Sequence, residues 1–220
     1  MDILATKDDS HTLYSSKYGA HYHSIHGALE ESIHIFISAG LYRAHRSGKT
    51  AVSIFEMGFG TGLNAYLTAI ETKRLNISID YSSIESDPIT MSQAQNLNYP
   101  SLLNSNKAEF LRLHEFPWDN WQDLSSLFRI KKIKSNIEDY NPETKFDIIY
   151  FDAFAPSSQP HLWTEDIHTM FYNSLNPDGC LVTYCTQGAF RRMLEGLGYR
   201  IEKLDGPGKK REMLRAVKQS

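Results

Sequence analysis

The sequence predicts an open α/β sheet, mostly parallel, that ends on an antiparallel strand. Three observations carry this. Through the centre of the chain, short runs of β-branched and aromatic residues alternate with segments of helical period. The last two runs, YRIEKL and REMLRAV, are separated only by the loop GPGKK, and so short a connection forces antiparallel pairing. A glycine-rich turn, EMGFGTGLN, follows the first central run and opens a helix.

Residues 1–26 are polar, rich in His, Tyr and Ser, and show little periodicity. GALEESIHIFISAGL then reads as a helix, with Leu29, Ile33, Phe36, Ile37 and Leu41 at three-to-four spacing and Gly40 marking its end. Residues 1–45 are therefore expected to form an N-terminal extension and helix over the site, and residues 46–220 the main domain. AVSIFEMG (51–58) is the first strand, 62–72 a helix, and ISIDYSSIES (77–86) the second strand. Pro88 suits the first turn of the next helix. Residues 99–128 are aromatic and irregular, with short helical pieces, and 128–134 is a third strand. FDIIYFD (146–152) is a fourth, rich enough in β-branched and aromatic residues to be covered on both faces. A helix over 164–175, a turn at NPDG, a strand at CLVTYC, a helix over 187–197 capped by Gly198, and the final strand pair complete a seven-stranded sheet. A mostly parallel sheet with an antiparallel last strand is the layout of class I S-adenosylmethionine (SAM) methyltransferases, a Rossmann-like fold. Ligands in such sheets bind outside the carboxyl ends of the strands.

The chain has 220 residues, enough to bury a core without disulfides. Its two cysteines, Cys180 and Cys185, flank an apolar run and read as reduced core thiols, and no metal-ligand spacing is present. The polar N-terminus resembles no targeting peptide, and no apolar run is long enough to span a bilayer, so a cytoplasmic location is expected. The net charge of −3 argues against a general polyanion coat. It leaves room for local basic faces, with RIKKIK, Arg191 with Arg192, and KKREMLR as candidates.

Chemistry-bearing residues fall at strand ends. Glu56, Gly58, Phe59, Gly60, Thr61 and Gly62 form the turn after the first strand, where glycines let a ligand lie against the backbone. The same pattern also suits a dinucleotide. Glu85, ending the second strand, is placed to accept hydrogen bonds from ribose hydroxyls, or is a solvated strand-end charge. Asn136, after the third strand, suits the adenine amino group or a helix N-cap. Asp152 ends the fourth strand, where a buried carboxylate is costly unless it is paired or functional. Pro156 and Pro160 stiffen the loop after it, and Phe154 and Trp163 are placed to wall a pocket. Gly206 and Gly208 permit close approach of the last loop, where Lys209, Lys210 and Arg211 suit phosphates. Tyr22 and its histidine neighbours, His21, His23 and His26, read as a polar lid rather than a metal site.

Together, GFGTGLN, FDAFAPSSQPHLWT, GPGKKREML and YHSIHGALEES resemble the SAM-dependent methyltransferase domain of bacterial tRNA wobble-uridine modification. That family comprises the methyltransferase half of bifunctional MnmC and stand-alone relatives called MnmD. The matches run from about Tyr22 to Leu214. The resemblance implies N-methylation of the 5-aminomethyl group of wobble (2-thio)uridine in the tRNA anticodon stem-loop. It implies Asp152 as the catalytic carboxylate, Glu56 to Gly62 as the cofactor loop, Glu85 on the ribose, and SAM as cofactor. The family often has Gly-Asp where this chain has Ser135 and Asn136. With no room for the FAD-dependent oxidase domain of bifunctional members, the chain is expected to act alone on a precursor made by a separate enzyme. Competing readings are an amine methyltransferase for a small molecule or protein, an NAD-linked oxidoreductase, and a non-catalytic binding module.

Overall fold

The computed structural model describes residues 2–207 and 212–219. Three short antiparallel strands begin the chain: β1 (Ile3–Ala5), β2 (His11–Ser15) and β3 (Ala20–His21). These were not apparent in the sequence, because strands of two to five residues are too short to show a period of two. Asp8 ties this small sheet to the next element. Its Oδ2 accepts from the backbone N–H of Glu30 at 2.9 Å, and a Cβ on Gly27 (φ 145°) would lie 2.8 Å from that same oxygen.

The first helix is longer than expected. It runs as α1 (Ala28–Ser32), through a π-helical stretch (Ile33–Leu41), into α2 (Tyr42–Arg46). Gly40 lies inside it rather than at its end. A Cβ there would meet the Tyr150 ring at 3.0 Å and Ile148 at 3.3 Å, so this glycine serves close packing of helix on sheet. The helix ends instead in a basic turn, Arg43, His45 and Arg46, which complements the negative end of its dipole.

The remaining elements are β4 (Ala51–Met57), α3 (Leu63–Leu75), β5 (Ser78–Glu85), α4 (Met91–Gln95), α5 (Tyr99–Leu102), α6 (Lys107–Glu115), β6 (Trp121–Ser125), β7 (Phe128–Lys134), β8 (Phe146–Phe151), α7 (Glu165–Ser174), β9 (Leu175–Thr183), α8 (Gly188–Gly196), β10 (Tyr199–Asp205) and β11 (Glu212–Lys218). Pro88 does not start α4. Thr90 caps it, accepting from Gln93 N–H while the Gln93 side chain accepts from Thr90 N–H, a reciprocal capping box.

Among the described residues the main sheet has eight strands, ordered β10-β11-β9-β8-β4-β5-β7-β6. β9, β8, β4, β5 and β7 are parallel, while β11 runs antiparallel between β9 and β10, as the short GPGKK loop requires. The eighth strand is the edge strand β6, antiparallel to β7. Its polar sequence WQDLS hid it. NPDG is not a free turn but a four-residue bulge inside β9, with Asp178 at φ 60°.

Alternation along the central strands separates two cores. Ile54, Ile148 and Tyr150 face the α1–α3 side with Phe36 and Tyr66. Phe55, Ile149 and Phe151 face α7 and α8 with Phe171 and Phe190. The order of connections reverses between β4 and β8, and the loops after these two strands form the candidate site.

Candidate active site

β4 and β8 are paired in register to their last residues, with Met57 opposite Phe151. The backbone N–H of Asp152 continues this ladder to Met57 O at 3.2 Å, and the Gly58 N–H reaches Ile84 O on β5 at 3.0 Å. The glycine turn and the strand-tip aspartate are thus fastened together. A Cβ on Gly58 (φ 91°) would lie 3.3 Å from the carbonyl oxygen of Asp152. Gly62, at φ 74°, starts α3 in the left-handed region, where a Cβ would strike His114 Nε2 at 2.9 Å.

A cavity of about 260 Å³ lies over this turn, walled by Gly58, Gly60, Thr61, Glu85, Asn136 and Asp152, with Tyr22 and Phe154 above. Glu85 is locked by its backbone. Its Oε2 accepts from Gly60 N–H at 3.0 Å and its Oε1 from Asp87 N–H at 2.8 Å. Burial raises its pKa above the usual carboxylate value, and these hydrogen bonds oppose the rise. Asn136 precedes a 3-10 turn (Ile137–Asp139), but its side chain makes no capping hydrogen bond there. Backbone N–H groups at glycines, a fixed strand-end carboxylate and an apolar wall suit a nucleoside with a charged tail. The residues present therefore fit SAM.

A second cavity of about 330 Å³ opens on the other side of Asp152, lined by His21, Tyr22, His23, Glu31, Phe154 and Tyr184. Asp152, Ala153, Phe154, Tyr22 and His23 border both spaces. The roof is aromatic. Tyr22 stands edge-on to Phe154 at 5.1 Å and Tyr18 packs on Phe154 at 4.9 Å. Gln159 and Trp163 hold the loop below it. Gln159 Oε1 accepts from Phe154 N–H at 3.2 Å, and Trp163 Nε1 donates to Phe154 O at 2.9 Å.

Two residues expected at the site lie behind it. Trp163 does not wall either cavity. Its ring packs on Phe151 and Phe190, each at 4.8 Å, because the 3-10 turn Pro160–Trp163 carries it under the loop. Glu56 lies beneath the glycine turn, fully buried, with Oε2 accepting from Ser83 Oγ at 2.6 Å. It is still inside β4, where strand alternation turns it to the face covered by α3 rather than up into the cavity. Burial pushes its carboxyl up to about 8, the Ser83 hydrogen bond opposes this, and the charge of Asp152 adds to it. Lys209, Lys210 and Arg211 lie outside the described residues.

The other basic candidates divide between buried or paired residues and exposed ones. In RIKKIK, which is β7, Lys132 is buried with Nζ donating to His114 O at 2.8 Å and lying 4.6 Å over the Trp118 ring. Arg129 pairs with Asp80. Arg191 pairs loosely with Glu195 along α8, while Arg192 is exposed.

Sequence reasoning assigned no role to Asn64, Glu31, Gln159 or Tyr184. Asn64 was signalled by being polar in the otherwise apolar first turn LNAY of its helix. No signal pointed to Gln159 or Tyr184. Both cysteines are free and buried, and no described residues form a group of His, Cys, Asp and Glu fit for a metal ion. No helix among the described residues is long and apolar enough to cross a membrane.

A family model described as S-adenosyl-L-methionine-dependent methyltransferase matches residues 111–219. The tRNA 5-methylaminomethyl-2-thiouridine biosynthesis bifunctional protein MnmC of Nitrosospira multiformis is 33% identical over 215 residues, 92% of this chain and 34% of that protein. MnmC of Leptospira interrogans is 30% identical over 222 residues, 96% of this chain and 34% of that protein. The chain thus spans about a third of the length of these curated relatives. The crystal structure of MnmC2 from Aquifex aeolicus shares the fold, with a TM-score of 0.81 at 24% identity, covering 98% of this chain and 69% of that one. The cavity's chemistry and these similarities agree: residues 111–219 match the S-adenosyl-L-methionine-dependent methyltransferase family, and the chain is similar to the MnmC proteins over nearly its whole length.

Proposed function

We propose that this chain methylates the primary amine of 5-aminomethyl-(2-thio)uridine at the wobble position of tRNA, giving the 5-methylaminomethyl form. The observation that carries the reading is the place of Asp152, on the wall shared by a cofactor-shaped cavity and a second cavity. The names of the relatives, which concern 5-methylaminomethyl-2-thiouridine in tRNA, support the choice of acceptor.

SAM supplies an electrophilic methyl group carried on a sulfonium. Gly58 to Gly62 and Glu85 hold the cofactor, with Asn136 at the adenine end. The acceptor amine enters the second cavity largely protonated, as alkyl amines are at neutral pH. Asp152 holds this amine by a hydrogen bond and takes its proton, which frees the nitrogen lone pair for the methyl group that bound SAM would supply. Tyr22 and Phe154 exclude water and stack on the unpaired base, the usual way a single-stranded loop base is read. Lys209, Lys210 and Arg211 hold anticodon-loop phosphates. The reading includes a cytoplasmic location and a separate enzyme that leaves the primary aminomethyl group on the base.

The test is methyl transfer from labelled SAM to tRNA bearing 5-aminomethyluridine, followed by nucleoside mass analysis. Wild type should add one methyl at the wobble uridine, and Asp152→Ala should bind SAM yet turn over at least about a hundredfold more slowly. Wild type that binds SAM but leaves this tRNA unmodified, while methylating a small amine or a protein, would overturn the assignment of substrate.

A further inference from the structure

Asn64 occupies the second position of α3, directly after the glycine turn, and is 2% exposed. Its Nδ2 donates to Asp152 Oδ2 at 2.8 Å. The orientation of the amide is set by chemistry, since an ionised carboxylate only accepts. The same buried amide also meets the Glu56 side chain beneath it. Burying a polar amide carries a desolvation cost that leucine or alanine would avoid here. Such a cost is expected where a local rule is broken for function.

Below lies Glu56, whose carboxyl feels both the Asn64 amide and the charge of Asp152. Its raised pKa keeps it protonated at neutral pH. A neutral Glu56 does not compete with charged Asp152 for the amide donor. Tyr81 on β5, Tyr99 on α5 and Tyr184 after β9 also feel Asp152, and burial keeps all three protonated.

We propose that Asn64 is the positioning residue of the reaction centre, fixing one carboxylate oxygen of Asp152 so that the carboxylate stays ionised and aimed along the wall between the two cavities. The proposal rests on the methyltransferase reading given above. Asn64 acts through Asp152. Without its donor, Asp152 both rotates and binds its own proton more tightly, and a protonated Asp152 cannot take the proton of the amine.

The experiment has two readouts. The first is the titration of Asp152 by carboxyl-carbon NMR in protein labelled at aspartate, with the resonance assigned by its loss in Asp152→Asn. In Asn64→Leu the midpoint should rise by about one unit or more, the size expected on losing a hydrogen bond to a charged group. In Asn64→Asp, which keeps the shape and adds a like charge, it should rise further. The second readout is turnover on 5-aminomethyl tRNA. For Asn64→Leu, kcat should fall roughly ten- to hundredfold with KM for SAM within about threefold of wild type. If Asn64→Leu does not fold, Asn64→Asp carries both measurements. An Asp152 midpoint unchanged in the folded variants, or a kcat within about twofold of wild type, overturns the proposal. Should wild type leave this tRNA unmodified, the substrate reading fails, and the titration alone still decides the role of Asn64.

Discussion

His23 Nε2 lies 2.8 Å from Thr61 Oγ1, which joins the N-terminal strap to the middle of the glycine turn. The Tyr99 hydroxyl donates to the same Thr61 oxygen at 3.2 Å. His23 is buried, and desolvation lowers its pKa to about 4, so it is neutral at physiological pH and pairs with a hydroxyl rather than a carboxylate. The strap is therefore fastened to the glycine turn that lines the candidate cofactor cavity.

Replacing His23 by alanine removes that link and leaves Thr61 with one partner fewer. SAM affinity should weaken about tenfold, the effect of losing a hydrogen bond worth about 1.4 kcal/mol. Isothermal titration calorimetry on the two proteins measures this, and an unchanged Kd would show that the strap does not shape the turn.

Gly62→Ala should both destabilise the fold and impair SAM binding. The position is left-handed, and the new methyl would press on His114 Nε2 at 2.9 Å and the Phe59 ring at 3.1 Å. A loss of about 1–3 kcal/mol in urea denaturation is expected from strain and overpacking combined. Gly48, also at positive φ but with open space around it, is the control. Its alanine variant carries only the backbone penalty and should leave SAM binding intact.

Glu56 makes the stability of the protein depend on pH in a defined window. Its pKa is near 4.5 when unfolded and about 8 when folded, so between these values the folded state holds a proton that the unfolded state has lost. This contribution is fully present below about 4.5 and is lost as pH rises through about 8. Glu56→Gln cannot ionise and can still accept from Ser83. The stability of the variant relative to wild type should therefore increase steadily from pH 5 to pH 8. Parallel denaturant melts at the two pH values check it, and equal differences at both would contradict the burial argument.

His168 shows the opposite sign. It is buried among Phe151, Phe171 and Phe190, with neither ring nitrogen hydrogen-bonded, and burial lowers its pKa to about 3. Between about 3 and 6.5 the unfolded chain binds a proton that the folded chain does not, so its contribution is complete above 6.5 and is lost as pH falls towards 3. His168→Phe removes two unsatisfied polar atoms and should raise stability by about 1 kcal/mol at pH 7.5 and by more at pH 5. A thermal melt lower than wild type at both pH values would mean that the phenyl ring overpacks the site.

The strand-tip position of Asp152 was legible because IIYF (148–151) is a continuous apolar run and the residue after it is charged. Glu85 was legible as a charge closing a β-rich segment just before Pro88. The place of Trp163 was not, since an aromatic residue nine or so positions along a proline-rich loop suits a pocket wall and a core equally well. Glu56 misled because a carboxylate beside a glycine turn reads as a ligand contact, and the pleat that turns it inward leaves no mark in composition. Lys132 misled likewise. Inside RIKKIK it looks like one more surface charge, yet it is the residue of β7 that faces His114 and Trp118.

The sequence by itself determined the period of each central element, the antiparallel ending, the glycine turn and the carboxylates at the strand ends. These depend on contacts within a few residues, where side-chain alternation and backbone freedom are written directly. Only the tertiary structure decided that β4 and β8 lie side by side, that Asn64 reaches Asp152 across 88 positions of the chain, and that the strap seals the turn through His23. Those relations come from long-range packing, in which each partner is selected by the shape and charge of a residue far away in sequence, and no local pattern carries that information.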